Sequence, residues 1–273
     1  MKLLFFCPLW GSADLPIEVF AEKAKKAGYD GVEAPLPMDD PLRLRQMLGA
    51  LEAQGLELIA QHYETANPDP EQHLAEYCRR LERLADVKPR FINSQTGKDW
   101  FSFDQNLKLI AGARAIAEKQ GVKIIHETHR GKFSFNPGLM ARYLEAEPDL
   151  RVAADFSHWC VVSESLLEDQ PGAVALAISR ADHIHARVGF AEGPQVSDPR
   201  APEWTTALNA HLAWWDRIVV TRQAEGAAVL TIAPEFGPLP YLPALPYTGM
   251  PVASQWDINV HMMHLLRVRY QAS

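Results

Sequence analysis

The chain has 273 residues, 47% hydrophobic and 22% charged, which allows a sizeable core and argues against disorder. Its formal net charge of −7 argues against binding by phosphate-backbone attraction, so no nucleic acid is expected and small molecules are the expected partners. Cys7, Cys78 and Cys160 are widely spaced with no C-x-x-C pair. That excludes a disulfide framework or zinc knuckle and points to a reducing, cytoplasmic setting.

The opening M-K-L-L-F-F-C-P-L-W has a short apolar run broken by Pro8, with no small-x-small cleavage site before Asp14. It is read as a first strand, Leu3–Cys7, rather than a signal peptide. No apolar run approaches the ~20 residues that span a bilayer, so no membrane partner is expected. Pro16–Ala27 has helical spacing and stops at Gly28, where a C-terminal glycine belongs. A strand at Gly31–Ala34, a helix at Asp40–Gln54 and a strand at Leu58–Tyr63 follow. Next come a helix at Pro70–Leu84, a strand at Arg90–Gln95 and a helix at Asp104–Gln120. The fifth strand is Val122–His129, V-K-I-I-H-E-T-H. The rest alternates: helix Asn136–Ala146, strand Arg151–Asp155, helix Ser165–Ile178, strand His183–Val188, helix Pro202–Ala224, strand Ala228–Glu235, helix Ala253–Tyr270.

Eight strands alternating with eight helices favour an all-parallel sheet wrapped by helices. Polar residues recur at the strand ends: Glu33, His62, Gln95, Glu127, Asp155, His185 and Glu235, in steps of 29, 33, 32, 28, 30 and 50 residues. Five steps each fit one strand-helix unit, and the last holds the Gly- and Pro-bearing insertion Gly189–Arg200. The tally matches an α/β chain folded as a (β/α)8 TIM barrel, with those polar groups on one rim. No G-x-G-x-x-G follows a strand, which disfavours a doubly wound sheet. No linker divides the chain, so residues 1–273 are read as a single domain.

Glu127, Asp155, His185 and Glu235 converge on that rim. Carboxylates ~4 Å apart at an effective dielectric of ~20 repel by about 4 kcal/mol per pair. Protons or a cation must relieve this. One divalent ion held by three carboxylates and an imidazole does so and leaves positions for substrate; Mn, Co, Mg and Zn all remain open. Glu127 and His129 share a strand face while His126 points to the helices. Arg187 shares its face with His185 and suits an oxyanion. His183, one residue pair deeper, is read as structural. Trp10 is placed as a wall of the mouth, stacking on a sugar face. Glu33 and His62 are expected on the same rim as orienting groups, His62 also as a substrate contact, and the Gly189–Arg200 loop is expected to cover the mouth through Gln195.

The E-T-H at Glu127–His129, D-F-S-H at Asp155–His158, H-I-H-A-R at His183–Arg187, P-E-F at Pro234–Phe236 and G-Y-D-G-V-E at Gly28–Glu33 together resemble the xylose isomerase-like TIM-barrel superfamily. That group holds sugar-phosphate isomerases/epimerases, ketose 3-epimerases and apurinic endonucleases. In its epimerase branch the resemblance implies Glu127, Asp155, His185 and Glu235 as metal ligands, and His158 and Arg187 as substrate contacts. His129 is added as a further substrate contact. The expected activity is a metal-dependent sugar isomerase/epimerase: one of Glu127 and Glu235 removes a proton beside a carbonyl and the other returns one, through an enediolate. The expected partner is a small carbohydrate, and a homo-oligomer stays open. Strand seven lacks an Asp-rich cluster, which disfavours a two-metal hydride shift. His185 is followed by Ala-Arg rather than Asp-x-His, so an apurinic-endonuclease-like phosphodiesterase ranks second. A non-catalytic sugar-binding barrel is the third reading.

Overall fold

The computed structural model describes residues 1–271. Its strands are β1 (Lys2–Pro8), β2 (Gly31–Pro35), β3 (Glu57–His62), β4 (Ile92–Ser94), β5 (Ile124–Glu127), β6 (Val152–Ala154), β7 (Ala181–His185) and β8 (Val229–Ala233). They form a closed parallel barrel in sequence order, with β1 pairing both β2 and β8, the (β/α)8 TIM barrel expected from the alternation. The helices are α1 (Ile17–Ala27), α2 (Pro41–Ala53), α3 (Pro70–Asp86), α4 (Phe103–Gln120), α5 (Pro137–Ala146), α6 (Ser157–Ser163), α7 (Pro171–Ser179), α8 (Thr205–Ala224) and α9 (Gln255–Gln271). None is long and apolar enough to cross a membrane.

Local chemistry sets the helix ends. Asp40 and Asp69 cap α2 and α3 by accepting from backbone N–H groups, each ahead of a proline at the first helical position, a pairing that satisfies orphan donors and presets φ. Ser102 and Gln105 close a capping box on α4. Gly28 and Gly121 end α1 and α4 with positive φ, as a left-handed C-terminal cap requires.

The structure corrects the sequence reading between β6 and β7. A single helix over Ser165–Ile178 is not what forms. Residues Ser157–Ser163 already make α6, Glu164 and Leu167 adopt positive φ, and Pro171 opens α7. Two left-handed residues cannot continue a helix, so the chain breaks there. Strand β7 also lies earlier than His183–Val188, because a register shift against Val152 and Ala153 inserts Asp182 as an extra residue.

Two apolar layers hold the fold. One lies between barrel and helices and includes Phe5, Val32, Tyr77, Ile110, Trp159 and Trp215. The other plugs the barrel: Leu4, Phe6, Ile59, Phe91, Ile125, Ala153 and Ala233. Burying a large aliphatic or aromatic side chain contributes about 1.5–3 kcal/mol, so this plug is a rigid floor. Everything polar in the interior stands above it.

Candidate metal centre and active site

Strand alternation decides which side chains stand on that floor. Ile59 and Ile125 belong to the plug, so Gln61 and Glu127, two residues on, enter the cavity above it. The same phase brings in His185 from β7 and Glu235 just beyond β8, while Asp155 follows β6 directly. One donor atom from each of Glu127, Asp155, His185 and Glu235 lies within 4.8 Å of the others, and all four residues are buried.

His185 is the hub. Its Nε2 is 3.0 Å from Glu33 Oε1. Its Nδ1 is 2.9 Å from Glu235 Oε2, 3.7 Å from Glu127 Oε1 and 3.9 Å from Asp155 Oδ2. A carboxylate only accepts, so Nε2–H donates to Glu33 and Nδ1 is left facing the other acids. Burial alone would push the His185 pKa down. Glu235, Glu33 and Glu127 more than offset that and hold it well above its ordinary value. The position of Nδ1 therefore demands positive charge, whether a proton or a metal ion.

The donor set passes a further test for a metal. Glu127 Oε1 and His185 Nδ1 are both buried with no hydrogen-bond partner. Orphaned buried polar atoms cost about 1–3 kcal/mol each, more when charged, so two facing each other beside two further carboxylates need a shared cation. Three oxygens and one imidazole nitrogen suit a divalent ion of the Mn, Co, Mg or Zn kind.

Two neighbouring triads also come within ligating distance, Glu33–His183–His185 and Glu127–His129–His158. Their atoms are already engaged. Glu33 takes His183 Nε2 at 3.0 Å and an Asn93 amide donor at 2.8 Å, and His158 Nε2 accepts from Arg187 at 2.7 Å. Glu33 and His183 thus orient His185.

The cavity above the centre has a volume of about 370 Å³ and is lined by Trp10, Tyr63, His129, Arg187, Tyr241 and both glutamates, among others. Two amides hold the glutamates. Gln61 Nε2 donates to Glu235 Oε1 at 2.8 Å, and Gln95 Nε2 donates to Glu127 Oε2 at 3.2 Å. Each acid thus has one oxygen pinned and the other turned to the His185 centre.

Arg187 is a buried guanidinium. Its Nε donates to Ser157 Oγ at 3.1 Å, and Nη2 donates to Asp155 Oδ2 and His158 Nε2. Tyr241 and Trp10 flank it, with ring centroids 5.0 and 5.9 Å from its central carbon, within cation–π range. His129 Nδ1 lies 2.5 Å from the Arg130 carbonyl. A carbonyl only accepts, so Nδ1 carries the hydrogen and Nε2 keeps its lone pair.

Trp10, His129 and Arg187 stand where the sequence placed them, on the cavity wall. His62 does not. It lies on the outer face of β3, its Nε2 2.8 Å from Thr65 Oγ1 and its ring packed edge-on against Tyr77; burial pushes its pKa down to about 3. The side chain that enters from β3 is its neighbour Gln61, because one step along a strand changes face. His158 is fully buried behind Arg187. Burial, with the nearby His129 and Arg187, holds its pKa well below the usual imidazole range, so it reaches the cavity only by way of that guanidinium. Gln195 also departs from expectation. Both ends of its amide are taken by the Gly237 backbone, at 2.7 and 3.2 Å, which ties the Gly189–Arg200 loop to the β8 loop. Gly237 is required there for space: a methyl group at its Cα would overlap the Trp10 indole. Gln61, Tyr63 and Tyr241 were not anticipated, and no residue pattern in the sequence distinguishes them.

No curated protein matches this sequence. Among solved structures the chain is similar to an L-ribulose 3-epimerase (TM-score 0.65, 14% identity, 100% of this chain and 95% of that one). It is also similar to a 3-keto-D-glucoside 4-epimerase from E. coli (TM-score 0.63, 14% identity, 98% and 100%). A third is endonuclease IV from Thermus thermophilus (TM-score 0.59, 14% identity, 100% of both chains). At such identity the likeness is one of fold. The family model described as a xylose isomerase-like TIM barrel matches residues 21–196, more than half of the sequence, and with the closed eight-stranded barrel around it the chain belongs to that family.

Proposed function

We propose that this protein is a divalent-metal-dependent sugar isomerase/epimerase that moves protons through an enediolate. The observation that carries this reading is the symmetry of the two glutamates. Glu127 and Glu235 come from strands that are not neighbours, each is held by a glutamine amide, and both turn their second oxygen to one centre. Fixing a base by one oxygen keeps the other in a single orientation, which is what a near-attack arrangement requires.

Glu127, Asp155, His185 and Glu235 would hold the ion. When bound, it supplies Lewis acidity that makes the C–H beside a carbonyl more acidic. Glu127 takes that proton from one side of the carbon, and Glu235 returns a proton from the other, inverting the centre. Return to the adjacent carbon instead gives aldose–ketose isomerisation. Arg187 stays cationic, since Asp155 and Glu235 raise its pKa against the effect of burial, and it faces the oxygen that gains charge. His129 Nε2 accepts a substrate hydroxyl. Trp10 and Tyr241 wall the cavity and exclude water from the reacting carbon. The epimerase titles among the structural neighbours support this reading, as does a cavity of single-sugar size.

The test is solvent exchange. Protein loaded with Mn²⁺, incubated in D₂O with a panel of ketoses, is expected to place deuterium at the carbon beside the carbonyl. Nicking of abasic DNA without any exchange would replace this reading by phosphodiester cleavage. Saturable ketose binding with neither reaction would leave a binding protein.

A further inference from the structure

A second, larger cavity opens beside the first. It has a volume of about 600 Å³ and lies between the loop after β1 and the loop after β2, against the first turns of α1 and α2. The two cavities share Leu9, Ala13 and Pro35 as lining residues, so they form one continuous cleft from the His185 centre outward. Their chemistry differs. The inner part is walled by glutamate, glutamine, arginine and aromatic groups, whereas the outer part is walled chiefly by Leu15, Ile17, Leu36, Leu42 and Met47. Leu42 is well exposed, at 59%, despite its size.

We propose that this outer cleft is a binding site for an apolar aglycone: the substrate is a sugar carrying an aryl or alkyl group rather than a free monosaccharide. The inference rests on the sugar reading of the inner cavity and names the class of molecule that fills both parts. A free hexose would occupy only the inner cavity and leave the apolar walls wet. Apolar wall exposed to water contributes about 25 cal/mol per Å² when a ligand covers it. An apolar group attached to a sugar held at His185 has only one continuous exit from the centre past Leu9 and Pro35, and that exit is this cleft. The geometry of attachment makes the second binding event intramolecular, which adds affinity without any new polar contact.

Photolabelling of the Mn²⁺-loaded protein with 4-azidophenyl β-D-glucopyranoside, mapped by peptide mass spectrometry, tests this, with 4-azidophenol as the sugar-free control. The glycoside is expected to label the peptides bearing Leu15–Ile17 and Leu36–Met47, at a half-saturating concentration at least about tenfold below that of the phenol. Leu42→Asp places a carboxylate on the cleft wall at an exposed site in the first turn of a helix, where an acid is tolerated. It should cut cleft labelling at least fivefold while leaving deuterium exchange on free ketoses unchanged. Ile17→Asp, on the opposite wall, should act in the same way. Label scattered over the surface, label unaffected by both substitutions, or equal labelling by phenol and glycoside would overturn the proposal. So would absence of label in a dimer whose partner chain covers the cleft. Exchange on free ketoses, read in the same samples, reports on the sugar reading separately from the cleft.

Discussion

At the N-terminal end of the barrel Asp182 is ringed by three cations: Arg151 at 2.7 Å, Arg222 at 3.2 Å, and Lys123. At the C-terminal end Glu33, Glu127, Asp155 and Glu235 are all buried, and they share one guanidinium, that of Arg187, with the imidazoles of His183 and His185. The lower acid is neutralised by covalently attached charge. The upper group is left short of it, since the side chains that hold Glu127 and Glu235 are neutral amides. A fixed cation stabilises the fold, whereas a deficit of fixed cations makes room for an exchangeable one. This division matches the general assignment of stability to the bottom face and chemistry to the top face of such barrels.

The largest effect expected follows from supplying or withdrawing that exchangeable charge. Treatment with a chelator should abolish deuterium exchange on ketoses, and Mn²⁺ or Co²⁺ should restore it. Ion at a thousandfold excess over its Kd should stabilise the fold by about 4 kcal/mol, read as a rise in Tm. His185→Ala should lose both responses. An unchanged Tm with added ion would show that the upper charges balance without a metal, and the contrast between the two ends would collapse.

Next in size is Glu127→Gln. The amide keeps the shape, but it neither takes a proton nor carries charge, so exchange should fall by about 10²–10⁴-fold. Near-ultraviolet circular dichroism should match wild type. The companion Glu235→Gln should show a comparable loss, because the reaction needs proton removal on one face and return on the other. Full activity in either variant would remove that residue from the role of acid or base.

A smaller loss is expected at the amides. Replacing Gln61 or Gln95 with Leu frees one oxygen of a reacting carboxylate without changing the ligand set. Groups that orient ligands in this way typically cost about 10–100-fold in affinity or rate when removed. Isothermal titration with Mn²⁺ and steady-state exchange rates would separate the two. If Gln61→Leu matches wild type in both, the hydrogen bond to Glu235 is incidental.

These amides also mark where sequence reasoning ran out. Strand positions were legible because β-branched runs such as V-K-I-I end in polar residues and helices end in glycine. The four acid and imidazole groups at the centre were legible because their chemistry is rare at strand ends. Gln61 was not, since β3 reads L-I-A-Q-H with both faces buried, and a strand buried on both sides has no polar alternation to fix its phase. Choosing His62 by residue type put the wrong neighbour in the cavity. The extra residue at Asp182 and the left-handed residues Glu164 and Leu167 are likewise set by tertiary packing, and local propensity carries no signal for them. His158 was legible as a member of the site but not as a group acting behind Arg187, because its depth depends on α6, a helix the sequence reading missed.

The smallest effect is expected at the opposite end, and it tests the contrast from the other side. Asp182→Asn removes an acid that three cations surround, leaving them without their shared partner. Two of those cations reach solvent, so the cost is about 1–2 kcal/mol rather than that of a fully buried pair, and at about 2–4 °C per kcal/mol for a chain of this size it should lower Tm by a few degrees. Exchange activity should not change, because nothing links Asp182 to the cavity. The pH dependence has a definite sign. Burial would raise the Asp182 pKa, but Arg151 and Lys123 more than offset it, so the folded carboxyl sits below its ordinary value. A carboxyl of that kind contributes its stability above the unfolded pKa of about 3.9 and loses it as pH falls towards the folded value. The gap between wild type and Asp182→Asn in denaturant titrations should therefore be constant from pH 8 to pH 5 and close below about pH 4. A gap that widens in acid, or a variant that loses activity while keeping its Tm, would mean that the charge at the floor of the barrel is coupled to the chemistry at its mouth.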